Sequence, residues 1–323
     1  MQPPEIKSYI GIDVSKMHLD ICILPQGERF QIENSPQGKF KDLCRRLKKF
    51  SVELIVMEST GGYEAAVFKS LHKAGFKVAR ENGRNIYHHR QSRGKRAKTD
   101  GIDAETLAHY AQCYCKEIRT PGPLEERQEN LKQLMEWRQD LVVKGIAAKN
   151  RLQGPVLNPA VQESCKRLLK VIQAEIEQVE SLINNAIEQH EDWRQRRDIL
   201  KSATGIGEIT ANLLLGHLPE LGHIPNKQVA SLVGVAPFHR ESGQYKGKRC
   251  IQGGRFSVRS MLYMATLTAI RWCEKLKVFY QHLRNKGKAA KVALIACMRK
   301  LLVILNAMLR DNKPFNPAYH LAN

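Results

Sequence analysis

The sequence predicts an α/β domain at the N-terminus, a helical coiled-coil middle and a mostly α-helical C-terminal domain. Three observations predict it. Short apolar, β-branched runs alternate with helical periodicity over residues 1–122. A four-and-three apolar spacing then follows one long segment. Beyond Asp198, apolar residues recur at helical spacing around a Gly-Ile-Gly turn.

Ser8–Val14, His18–Leu24 and Arg29–Glu33 read as successive strands, with Pro25-Gln26-Gly27 turning the chain before the third. Phe40, Leu43, Leu47 and Phe50 mark one face of a helix. Leu54–Met57 reads as a buried strand, Tyr63–Ala74 as a helix closed by Gly75, and Phe76–Ala79 as a further strand. Three strands, helix, strand, helix, strand is the order of the ribonuclease H-like fold.

Leu131–Leu152 reads as helical and is broken by Gly154-Pro155 and Asn158-Pro159. Cys165, Leu169, Ile172, Ile176, Val179, Ile183, Ala186 and His190 then form a heptad seam. Such a seam serves equally as a helical hairpin packed on itself or as a dimerisation arm. Two short helices are expected around Gly205-Ile206-Gly207, where backbone N–H groups can meet phosphate oxygens. The expected domains are therefore 1–122, 123–197 and 198–323.

Charge points to the partner. With 52 Lys+Arg against 32 Asp+Glu, the chain carries +20. That excess calls for a polyanion, nucleic acid first and acidic membrane second. Residues 240–323 hold 17 Lys+Arg against three Asp+Glu, and a second basic run spans Arg84–Lys98. Candidate phosphate contacts are Arg90, Arg93, Lys95, Arg96 and Lys98 in that run, and Arg240, Lys246, Lys248, Arg249 and Arg255 further on. Gly205 and Gly207 join them through their backbone. Met1–Glu5 lacks a signal-peptide pattern, and no apolar stretch approaches the ~20 residues of a membrane span. The eight cysteines lack CxxC pairs and zinc-finger spacing to histidine, so they read as reduced thiols that fill cores in a cytoplasmic protein. His88-His89 reads as surface or phosphate contact rather than a metal site.

Four acidic residues sit in distinctive frames: Asp13 in YIGIDVSK, Glu58 in LIVMESTGGYE, and Asp100 with Asp103 in KTDGIDAETLA. The first two lie on or at the end of apolar strands, and the second two share one face of a helix start. Carboxylates gathered in this way repel unless a cation lies between them. Mg²⁺ is the expected ion, with Mn²⁺ as its substitute, and a phosphodiester the expected substrate. Asp20, Glu64 and Glu105 lie close by and read as supporting or exposed acids. Ser242, in FHRESGQYKGKRCIQGGR, occupies a polar, Gly-rich loop. An isolated Ser-Gly reads as a turn; a nucleophile there would need its proton removed and cations to offset developing charge.

GIDVSK, ESTGGYE and KTDGIDA, followed by the coiled-coil stretch, the GIG hairpin and RESG…GGR…VRSMLYMA, resemble the DEDD transposases over essentially the whole chain. These are the bridge-RNA-guided recombinases of insertion sequences, with the pilin-gene invertases among their relatives. The resemblance implies a RuvC-like domain whose carboxylates, here Asp13, Glu58, Asp100 and Asp103, bind Mg²⁺. It implies Ser242 as the nucleophile of a covalent phosphoserine intermediate in the exchange of DNA strands. It also implies donor and target DNA, a structured non-coding guide RNA, and a homo-oligomer, dimeric and then tetrameric in the synaptic complex. The site would be completed between subunits, and the protein would associate with the bacterial nucleoid when acting. A RuvC-like, metal-dependent nuclease that cuts with water and makes no covalent step is the alternative.

Overall fold

The computed structural model divides into two units, Met1–Leu124 and Glu125–Asn323. It describes residues 6–36, 38–94, 100–154, 158–238, 241–242, 245–247 and 249–317, with the backbone alone at 100–102, 241–242 and 245–246.

In the first unit, β1 (Lys7–Val14), β2 (His18–Leu24) and β3 (Glu28–Glu33) form an antiparallel meander. After α1 (Lys39–Leu47), strand β4 (Ser51–Glu58) pairs in parallel with β1. Helix α2 (Ala65–Lys73) leads to β5 (Val78–Glu81), which pairs in parallel with β4. The sheet order is β3-β2-β1-β4-β5, and the element order is the one expected from sequence. Helices α3 (Gly83–Ser92) and α4 (Asp100–Tyr114) complete the unit. Helix α3 lies within the basic run that was expected only as a charged surface. Its start was marked by Asn82, whose side chain accepts from the Arg84 N–H at 2.9 Å.

Alternation along the strands divides this sheet into two buried faces. Ile10, Ile12, Ile21, Ile23, Ile55 and Met57 pack against Phe40, Leu43 and Leu47 of α1 and Phe68 and Leu71 of α2. Each such fully buried side chain contributes about 1.5–3 kcal/mol of transfer free energy. The opposite face is covered by α4. Leu54, Val56 and Ala79 meet Leu107 and Ala111, while Cys22 meets Ala104 and Ala108. Gly11 lets α4 approach: a Cβ there would overlap the Ala104 carbonyl and the Ala108 amide.

The second unit begins with α5 (Glu126–Leu152) and α6 (Pro159–Glu188), an antiparallel pair bridged by Arg138 and Glu180 at 2.6 Å. Ile172, Val179 and Ile183 of the expected seam are buried, but in the last turn Ile187 takes the place read for Ala186. This pair shares a core with α7 (Glu191–Lys201), α8 (Glu208–His217) and α9 (Asn226–Val233). The two-stranded pairs β6 (Pro237–Phe238) with β9 (Cys250–Ile251), and β7 (Glu241–Ser242) with β8 (Tyr245–Lys246), follow. Helices α10 (Phe256–Trp272), α11 (Glu274–Asn285) and α12 (Ala290–Arg310) close the chain. Contrary to the expectation from sequence, α12 is long and apolar enough to cross a membrane. Its Cys297, Met298, Leu301, Leu302, Leu305 and Met308 are nevertheless buried in this unit's core.

Candidate active site

The acidic positions of the first unit follow from the strand alternation. Asp13 lies two residues beyond Gly11, and Glu58 two beyond Val56, so both belong to the face that α4 covers. The parallel register Ile12↔Met57 makes Asp13 and Glu58 neighbours on adjacent strands. Asp100 opens α4 and Asp103 stands one turn on, half-buried. The side chain of Asp100 lies outside the described residues. Asp20 is a further acid on this face, directly across the β1–β2 ladder from Asp13, and its Oδ1 accepts from Gln31 Nε2 at 3.0 Å. The sequence undervalued it, although a short turn after Val14 fixes that register.

Two contacts prepare the carboxylates. The Glu58 side chain rests against Gly83 at the start of α3, where a Cβ would come within 2.9 Å of Cδ and overlap Oε1. Arg90 Nη1 donates to Asp103 Oδ1 at 3.0 Å. Carboxylate oxygens are hard donors and suit Mg²⁺ or Mn²⁺ rather than a thiophilic ion. Glu64 has other work: its Oε2 accepts from the Thr60 and Gly62 amides at 3.2 and 3.0 Å, which fixes the loop after Glu58. Glu105 holds Arg29 at 2.7 Å and Arg93 at 3.8 Å. Lys95, Arg96 and Lys98 lie outside the described residues.

The serine loop of the second unit rises from the β6–β9 pair, and Ser242 is placed in the outer β7–β8 hairpin opposite Tyr245. The side chains of Ser242 and Lys246 lie outside the described residues, as do Arg240 and Lys248 altogether. Arg249 is exposed. Arg255 forms a two-pronged pair with Glu220, 2.6 Å on each arm, and its Nη1 also donates to the His217 carbonyl at 2.7 Å. Its backbone N–H donates to the Leu232 carbonyl at 2.9 Å, tying the start of α10 to α9. Gly205 and Gly207 differ in setting. Gly205 has φ +91° and backs onto α10, whereas nothing lies within 4 Å of where a Gly207 Cβ would stand. Ser257 and Ser260 are on α10, as expected.

A second cluster was not legible as a site in the sequence. His89 on α3 is buried, with its Nε2 3.0 Å from His109 Nδ1 on α4. Cys113 Sγ lies 3.4 Å from the same Nδ1. Burial, followed by the charges of His109 and Arg93, lowers the His89 pKa. The expected surface role for His89 is therefore corrected, and Cys113, expected as core filler, is exposed.

Comparison with known proteins decides the family. A family described as Transposase, that of the DEDD transposases of IS110, matches residues 10–159, and the Transposase IS116/IS110/IS902 family matches residues 197–281. The chain belongs to the IS110 family of transposases. The pilin gene-inverting protein of Moraxella bovis is 28% identical to this IS110-family transposase over 97% of its chain and 99% of the relative's. The pilin gene-inverting protein of Moraxella lacunata gives the same figures. The insertion element IS110 43.6 kDa protein of Streptomyces coelicolor is 21% identical over 95% of both chains. As an IS110-family transposase, the protein is an enzyme of DNA recombination.

Proposed function

We propose that this transposase is an RNA-guided recombinase that moves an insertion sequence through a covalent phosphoserine intermediate. The observation that carries the reading is the pairing of Asp13 and Glu58 on adjacent strands, on the sheet face covered by the helix bearing Asp100 and Asp103. The first unit is read as RuvC-like, which its strand order and mixed sheet support. Asp13, Glu58, Asp100 and Asp103 would hold Mg²⁺, or Mn²⁺ in its place. When bound, that cation supplies Lewis-acid polarisation of a scissile phosphate.

Ser242 is assigned as the nucleophile. Its Oγ forms a bond to phosphorus as one P–O bond of the DNA backbone breaks, and its proton ends on the departing hydroxyl. The reverse attack by a different strand end reseals DNA and frees the serine, so the number of phosphoester bonds is conserved and no ATP is consumed. Donor and target DNA, together with a structured guide RNA, are the proposed partners, supported by the +20 charge. A homo-oligomer, dimeric and then tetrameric at synapsis, is supported by exposed Trp137, Val143 and Ile146 on α5 and Leu168, Val171 and Leu182 on α6. The acting protein is placed in the cytoplasm, at the nucleoid.

Trapping tests the reading. Wild-type protein with Mg²⁺, guide RNA and cognate DNA should yield a protein–DNA adduct on denaturing gels. Ser242→Ala and Asp13→Asn should yield neither adduct nor nick. Nicking that survives Ser242→Ala would assign the attack to water and end the recombinase reading.

A further inference from the structure

We infer that His89, His109 and Cys113 form a binding site for a thiophilic divalent transition metal, zinc first, separate from the carboxylate set. The donor atoms nominated by these side chains all lie within 4.8 Å of one another. His89 Nε2 and Cys113 Sγ stand 3.0 and 3.4 Å from His109 Nδ1. Ligands about 2.0–2.1 Å (N) and 2.3 Å (S) from one tetrahedral ion stand roughly 3.3–3.6 Å apart. Both distances to His109 Nδ1 lie within a few tenths of an ångström of that spacing, and the His89 and Cys113 donors lie within 4.8 Å of each other.

Secondary structure sets the spacing. His109 and Cys113 are four residues apart on α4, so they share one face of the helix. His89 reaches them from α3. Tyr110 and Tyr114 stand at 84° and 75° to the His89 ring, with centroids 5.3 and 5.6 Å away, and fix its orientation. Burial of His89 shields the ion on one side, while exposed Cys113 leaves the fourth position to water. Two imidazoles and a thiolate favour zinc, cobalt or copper over magnesium, so the two sites differ in metal class.

A metal here would pin α3 to α4. These helices carry Arg90 and Asp103, so the metal would stiffen the support of the acidic face without taking part in its chemistry. The site stands on its own three donors and does not depend on what the carboxylates do.

Cobalt(II) alone, titrated anaerobically into the reduced full-length chain, is the test. The thiolate-to-cobalt charge-transfer band and strong tetrahedral ligand-field absorption should develop and saturate with one equivalent, because cobalt on the carboxylates gives neither signal. Because Cys113 is exposed, Cys113→Ser should fold as wild type, as checked by circular dichroism, and should lose that band. His109→Gln should weaken cobalt binding at least tenfold. Cys115→Ser, which removes a neighbouring thiol outside the cluster, and Asp13→Asn should leave the band intact. No charge-transfer band in the wild type, or a band that persists in Cys113→Ser, would overturn the inference.

Discussion

Arg90 donates from Nη1 to Oδ1 of Asp103 across 3.0 Å, and neither side chain is more than about one-sixth exposed. A guanidinium and a divalent cation compete for the same carboxylate. If Asp103 belongs to the proposed metal set, Arg90 is its partner when the metal is away. Arg90→Met should then lower unfolding free energy by about 1–3 kcal/mol, because it leaves a shielded acid without its partner. Mg²⁺ should restore more stability to this variant than it adds to the wild type. Thermal melts with and without Mg²⁺ read the difference, and equal responses would remove Asp103 from the metal set.

Gly83 makes a sharper test, because it separates position from stability. An alanine Cβ would displace the Glu58 carboxylate, which is the free end of a side chain and can swing aside. At a helix start, alanine for glycine is neutral or mildly stabilising. Gly83→Ala should therefore keep the melting temperature and lower strand cleavage by about 10²-fold, the scale expected for a 1 Å misplacement. Full activity in this variant would show that cleavage does not need Glu58 in its present place.

What the sequence reveals here depends on how local the determinant is. Strands β1 to β5 were legible because apolar alternation is written in consecutive residues, and Asp13 and Glu58 came with them. Helix α3 escaped because a run from Arg84 to Lys98 has few apolar residues to set a period. The exchange of Ile187 for Ala186 reflects a 3.6-residue helix drifting from a seven-residue repeat. His89, 20 residues before His109 on a different helix, has no spacing signature at all. Arg255 read as one more candidate phosphate contact, because charge along a chain does not disclose that Glu220 waits for it in space.

The two glycines of the Gly-Ile-Gly turn should respond differently to alanine. At Gly205 a Cβ would meet the Ala265 carbonyl at 2.6 Å and the Ala269 amide at 2.9 Å, both fixed in α10, with φ at +91°. Left-handed strain and overpacking together should cost about 2–4 kcal/mol in urea unfolding. Gly207, the N-cap of α8, faces open space. Gly207→Ala should cost below about 1 kcal/mol while weakening DNA binding, as proposed for a backbone that docks phosphate. Unchanged DNA affinity in a folded Gly207→Ala protein would leave this turn a purely structural element.

Cys297 gives the second unit a pH dependence of known sign. Its thiol is buried in α12, and burial pushes its pKa from 9.0 up to about 11 despite the opposing charge of Lys300. Between those values the unfolded chain releases a proton that the folded chain keeps. Stability from this group is therefore complete below pH 9 and falls as pH rises towards 11. Two pKa units correspond to about 2–3 kcal/mol at the upper end of that window. Tyr110, pushed up to about 12 by burial and by nearby Glu81, adds a loss of the same sign from the first unit. Comparing wild type with Cys297→Ala cancels that contribution. Urea unfolding from pH 7.5 to 10.5 should show a steeper decline for the wild type, and parallel curves would mean that the thiol ionises equally in both states.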